Sequence, residues 1–166
     1  MTRLRRLVRH LWQSPMAVRR RFTPAVLDAV ETAVRTAESE HGGEVRFVVE
    51  TDLPVFALLA DRSARARALE IFASHGVWDT EENAGVLVYV LWADRAVEIV
   101  ADRGFNGRVT ADEWTSVSRL MEAAFRVGDW HRGAVSGVEA VGKLVARHFP
   151  ARPQKPNELP DRPLLL

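Results

Sequence analysis

The side chains able to do chemistry in this sequence gather around one apolar segment. Asp79, Glu81, Glu82 and Asn83 stand directly before the unbroken apolar run from Ala84 to Trp92, and Asp102, Arg103 and Asn106 follow the next strand-like run, Ala96 to Ala101. All of them except Arg103 are hard oxygen donors. Such oxygens in a glycine-containing loop suit Ca2+, which takes about six to eight of them, or Mg2+, which takes fewer in a stricter geometry; they do not suit Zn2+. A plainer reading competes, in which Asp79 and Thr80 cap a turn while Glu81 and Glu82 are merely solvated. Arg103, the one cation of the group, is expected to pair with Asp79, or else to hold a phosphate oxygen.

Whether these groups meet depends on the hairpin between the two strands. With Asp94 and Arg95 as a tight turn, Ala93 pairs with Ala96 and Asp102 lies across from Leu87, roughly 13 Å along the strand from Asn83. If the chain runs on beside the strand through Gly104, Asn106 comes level with Asn83, and Asp79 can fold back toward both. Gly104 is then glycine because the loop needs positive φ or a close backbone approach.

Other chemistry is excluded more easily. Cysteine is absent, which removes disulfides, thiolate metal sites and cysteine nucleophiles. The nucleophile-elbow, phosphate-loop, dinucleotide and His-Glu-x-x-His motifs are missing, so no organic cofactor is expected. "GDWHRG" from Gly128 places Asp129 and His131 near each other, but reads as the cap of a helix rather than a metal loop. Lys143 and Lys155 are the only lysines, and the tryptophans sit at element ends, so nothing predicts nucleic-acid binding.

Positioning these groups requires an α/β chain. Thr23-Pro24 opens a helix that stops at Gly42-Gly43, and Val45, Phe47 and Val49 alternate with Arg46, Val48 and Glu50 in a strand. A helix follows over "ADRSARARALEIFASHG". The run Ala84–Trp92 is then a central strand covered on both faces, and Ala96–Ala101 returns beside it. Thr110 and Glu113 have capping-box spacing before the third helix of the body, and Asp129 caps the last. A helix between the first two strands forces them parallel, which predicts a three-layer α/β/α sandwich with a small mixed sheet: a parallel crossover pair plus an antiparallel hairpin.

The ends differ from the body in composition. Residues 1–21 form a leader, 22–149 the domain and 150–166 a proline-rich tail. The first 22 residues hold seven arginines and no acid, so an overall charge of +1 leaves about −6 on the remainder. Leu4, Leu7, Val8, Leu11 and Trp12 share one helical face, which predicts over residues 1–14 either a helix on an anionic membrane surface or one folded back on the acidic body. No signal peptide or transmembrane helix is apparent, which predicts a cytoplasmic chain, at most peripheral to a membrane. The tail is expected to be extended or disordered, with Leu164–Leu166 docking on the body or on a protein partner.

Three stretches together, "GEVRFVVE", "VWDTEENAGVLVYVLWADRAVEIVADRG" and "FRVGDWHRGAVSGVEAVGKLV", resemble the TPM domain, over about Phe22 to Phe149. The resemblance implies an α/β/α sandwich. It also implies one of two activities: calcium binding by an accessory module, or weak acid phosphatase action on phosphomonoesters with Asp79, Asp102 and Arg103 as the catalytic candidates. A purely structural interaction domain is the third reading.

Overall fold

In the computed structural model, which describes residues 3–153 and 155–166 apart from the side chains of 3–5, two central strands carry the architecture. β1 (Glu44–Glu50) and β2 (Gly85–Leu91) are buried over their whole length and run parallel, from Glu44 opposite Gly85 to Glu50 opposite Leu91. β3 (Ala96–Ala101) returns antiparallel to β2, and a two-residue edge strand, β4 (Leu164–Leu165), pairs in parallel with the free side of β1. The order is β3-β2-β1-β4.

Helices cover both faces, as the sequence predicts. On one side α3 (Pro24–Glu40), α6 (Ala111–Arg126) and α7 (Trp130–Ala146) bury Val30, Val34, Met121, Val138 and Val141 against Phe47, Val86 and Val88. Thr23 caps α3, the Thr110–Glu113 capping box opens α6, and Asp129 caps α7 through the Arg132 amide. On the other side α4 (Val55–Leu59) and α5 (Ala64–Ser74) form the crossover and bury Leu58, Ala68 and Ile71 against Val48, Leu87 and Tyr89. The five-residue α4 has no counterpart in the sequence reading; it is too short to show a helical period.

β1 carries charge on its α5-facing side, and all of it is buried. Glu50 accepts from Arg67 and from the Tyr89 hydroxyl at 2.5 Å. Arg46 donates through Nη1 to the carbonyls of Pro160 and Arg162, each at 2.7 Å. Glu44, fully buried, meets Lys155 Nζ at 2.5 Å and accepts from the Leu159 amide at 3.1 Å. Residues 155–166 are therefore the cover of the β1 edge rather than a loose appendage. The edge position suits a proline-rich segment, which cannot supply every amide of a ladder.

The leader folds back on the body. α1 (Arg3–Leu11) and α2 (Pro15–Arg21) are separated by Ser14, which caps α2. Arg6, Arg9 and His10 all converge on Asp94, with Arg6 Nη2 at 2.7 Å and His10 Nε2 at 3.0 Å; Arg9 is in close contact as well. The other His10 nitrogen accepts from the Leu53 amide. Burial by itself would raise the Asp94 carboxyl, but the hydrogen bonds from Arg6 and His10 outweigh it and hold the group below the usual carboxylate range. The expectations that involve Arg3, Leu4 and Arg5 lie outside the described side chains.

Beside Lys155, Glu38 accepts from the Val45 amide at 2.7 Å. Desolvation, reinforced by the charge of Glu44, pushes its carboxyl up to about 8. A folded pKa above the unfolded one means stability that is complete below about pH 4.5 and is lost as pH rises through 8. Neighbouring His41 is pushed the other way, to about 4, by burial and then by the Lys155 charge. Glu38→Gln keeps the acceptor and removes the titration. We predict that it abolishes a decline in unfolding free energy on the order of 2 kcal/mol between pH 5 and 8, measured by urea denaturation across that range.

Candidate functional site

The acidic rim lies at the N-terminal end of β2. Its loop is a built turn: the Asn83 amide donates to the Thr80 carbonyl at 3.0 Å, and the buried Thr80 hydroxyl accepts from the Ala84 amide at 3.0 Å. Thr80 rather than Asp79 supplies this side-chain cap. Asn83 adopts a left-handed conformation with φ of 53°, which asparagine tolerates better than most residues.

The hairpin register differs from the expected one by two residues. Leu91, not Ala93, pairs with Ala96, and Trp92 to Arg95 form a four-residue connection. Past Leu91 the β2 backbone turns to the end of β1 instead, with the Trp92 amide on the Glu50 carbonyl and the Ala93 amide on the Thr51 carbonyl. Asp94 is at the same time held by the leader. Asp102 is consequently opposite Gly85, to whose carbonyl its amide donates at 2.9 Å, and Gly104 rather than Asn106 comes level with Asn83. The shift brings Asp102 two residues closer to the loop than the sequence arithmetic placed it.

Asp102 is 8% exposed and opens a single turn of 3-10 helix, Arg103–Phe105. Its Oδ1 accepts from the Arg103 amide at 2.6 Å, while its buried Oδ2 has no hydrogen-bond partner among the described residues. Arg103 donates through Nε to Asn83 Oδ1 at 2.7 Å; the expected pairing with Asp79 is not the one formed. Two connections are thus joined by Asn83, Asp102 and Arg103. Glu81 and Glu82 are held by Arg152 at 3.4 Å and 2.6 Å, and the Glu81 amide donates to Glu158. Asp79 and Asn106 are exposed, and neither side chain has a described hydrogen bond or ion pair. Among the described residues, no three His, Asp or Glu side chains form a group close enough to hold a metal ion by themselves.

Arg152 and Glu158 are rim residues that the sequence reading missed, because they come from the tail and nothing local ties them to the loop. His131 is exposed in the first turn of α7, and Asp129 is a cap, as "GDWHRG" predicts. Gly104 is explained by proximity rather than by φ: a Cβ there would collide with the Asn83 carbonyl and lie 3.1 Å from that of Glu82.

The fold is that of a mixed four-stranded sheet between helical layers, an α/β sandwich. A family model for the TPM domain matches residues 19–144, and the chain belongs to that family. Among solved structures, it is similar to the BA42 protein of the psychrophilic bacterium Bizionia argentinensis, at 29% identity and a TM-score of 0.72, covering 87% of this chain and 94% of that one. The N-terminal domain of a P. gingivalis protein shares the fold at 21% identity and a TM-score of 0.57, covering 79% and 82%. A search of curated proteins found no match.

The close approach at Gly104 gives a direct check on the rim. Gly104→Ala is predicted to cost more than about 2 kcal/mol, because backbone oxygens cannot move aside cheaply. Gly107→Ala, at φ 73° but with open space around it, is predicted to cost about 1 kcal/mol. Chemical denaturation of the two variants measures the difference.

Proposed function

We propose that the protein is a TPM-family binding module that takes a divalent cation, Ca2+ or Mg2+, at the rim of Asp102 and the 79–83 loop. The observation that supports this most is the buried, unpartnered Oδ2 of Asp102, since a buried carboxylate oxygen is costly unless something satisfies it. Asp79, Asn83 and Asn106 are the further oxygens within the same pair of connections. Glu81 and Glu82 join only if Arg152 releases them. Arg103, already on Asn83, must swing outward for a cation to enter. An affinity in the weak range is therefore expected, with binding that competes with salt.

In the alternative reading as a weak acid phosphatase, Arg103 stays and holds a phosphate oxygen beside Asp79 and Asp102. Calorimetric titration separates the two. We expect Ca2+ to bind and raise the melting temperature of the full chain, and Asp102→Asn to abolish both effects. Absence of heat and of a thermal shift at millimolar ion sinks the cation reading. Turnover of a chromogenic phosphoester at mildly acid pH, lost in Asp79→Asn and Asp102→Asn, replaces it with the enzyme.

The leader supports an anionic membrane surface as the partner. No described helix is long and apolar enough to cross a membrane. With Arg6, Arg9 and His10 turned to Asp94, α1 leaves Val8 and Leu11 exposed, and Trp12 beyond it is 85% exposed. The adjoining α4 adds Val55, Leu59 and Phe56, the last 70% exposed. Exposed aromatic and aliphatic side chains, on a leader whose second helix ends in the exposed Arg19, Arg20 and Arg21, have the make-up of an interfacial anchor. Trp12→Ala with Phe56→Ala is predicted to reduce cosedimentation with phosphatidylglycerol vesicles at least fivefold; unchanged sedimentation removes the membrane reading. A protein partner of the tail would meet it as the edge strand β4 rather than as a free peptide.

A further inference from the structure

At the opposite end of β2 from the acidic rim, a cavity of about 620 Å³ opens between the β2–β3 connection, the leader and the junction of α6 with α7. That volume lies within the range of small-molecule sites, roughly 300–1,000 Å³. Its apolar wall is aromatic. Trp130 stacks on Phe125 with centroids 4.7 Å apart and planes 17° apart, and Trp92 lies 4.5 Å from Trp130 on a tilted plane.

The polar lining is cationic, although the body of the chain is acidic. Arg9, Arg21, Arg95 and Arg126 reach the cavity from four separate places in the sequence, against one acid, Glu122. Some of this lining is already engaged: Arg9 holds Asp94, Gln13 accepts from the Trp92 indole, and Glu122 accepts from the Val97 amide. The guanidinium groups of Arg21, Arg95 and Arg126 have neither a hydrogen-bonded nor an ion-paired partner among the described residues. Arg46, Arg67, Arg147, Arg152 and Arg162, by contrast, are each tied to a carbonyl or a carboxylate. Arg95 also sits in the left-handed region with φ of 53°, where glycine or asparagine would be conformationally cheaper. The turn thus carries a strained arginine whose side chain lines the cavity.

We infer that this cavity binds a soluble organic phosphate with a flat aromatic portion, of the nucleoside monophosphate kind. Three unpaired guanidinium groups exceed what a carboxylate can accept and match the oxygens of a phosphate monoester, each fork giving paired N–H donors. The tryptophan wall offers an apolar surface for the ring, which prefers offset stacking on an indole. The inference assigns binding and no chemical step, and it does not depend on the cation reading, since the two sites occupy opposite ends of the sheet.

The test is calorimetric titration of the full chain with adenosine monophosphate, inorganic phosphate and adenosine, in low salt and without divalent ions. Adenosine monophosphate is expected to bind at least tenfold more tightly than either fragment. Arg95→Ala with Arg126→Ala is expected to weaken it at least tenfold, with the melting temperature of the unliganded chain unchanged because both side chains are exposed. No heat with adenosine monophosphate at millimolar concentration overturns the proposal, as does equal affinity in the double variant. Equal affinity for inorganic phosphate overturns the aromatic half. Vesicle binding that requires Arg95 and Arg126 while adenosine monophosphate fails to bind assigns the phosphate to a lipid headgroup and overturns the soluble ligand.

Discussion

A central strand that carries charge must bring its counter-charges with it, and this fold is arranged around that constraint. Glu44, Arg46 and Glu50 lie on one side of β1 and are all buried. Leaving any of them unpartnered would cost about 3–5 kcal/mol, a large share of the stability of a domain this size. The partners come from far along the chain: Arg67 and Tyr89 for Glu50, the carbonyls of Pro160 and Arg162 for Arg46, and Lys155 with the Leu159 amide for Glu44. The C-terminal segment is thereby tied to the sheet, and it delivers Arg152 and Glu158 to the acidic rim on the way. Asp94 plays the same part for the N-terminal segment, drawing Arg6, Arg9 and His10 onto the β2–β3 connection. Core and rim are products of one set of buried charges.

The two ends of β2 have opposite character for a structural reason. A parallel pair with an antiparallel neighbour leaves the connections of β2 at opposite ends of the sheet. The N-terminal end meets the turn after β3, which gathers oxygens. At the C-terminal end are the arginine-rich leader and the α6–α7 junction, which gather guanidinium groups and indoles. Neither collection follows from the fold class, since α/β sandwiches of the same topology can carry unrelated chemistry at their loops. Function therefore resides in the side chains at each end.

The sequence made the layers legible because the relevant signals are local. The unbroken apolar run of β2, the alternation in β1, the Thr110–Glu113 box and the caps at Thr23 and Asp129 each act within a few residues, and each appears where its spacing predicts. The hairpin register was not legible in the same way. It is set by the Trp92 and Ala93 amides, which bond to β1 rather than β3, a tertiary choice that overrides the turn signal of Asp94-Arg95. The rim was half legible: Asp102, Asn83 and Arg103 are joined, but Arg103 takes Asn83 rather than Asp79, and Arg152 arrives on Glu81 and Glu82 from a tail with no local signature. The arginine cavity was not legible at all, because its four arginines are scattered over more than a hundred residues of sequence.

The measurement that bears most directly on this account compares the unfolding free energy of the full chain with that of a chain ending at Pro150. Without Lys155, the Leu159 amide and the carbonyls of Pro160 and Arg162, Glu44 and Arg46 lose their partners and β1 loses its edge cover. A loss of at least about 3 kcal/mol, or failure to fold, is predicted. A shortened chain as stable as the full one would show that β1 does not need those partners, and would contradict the account.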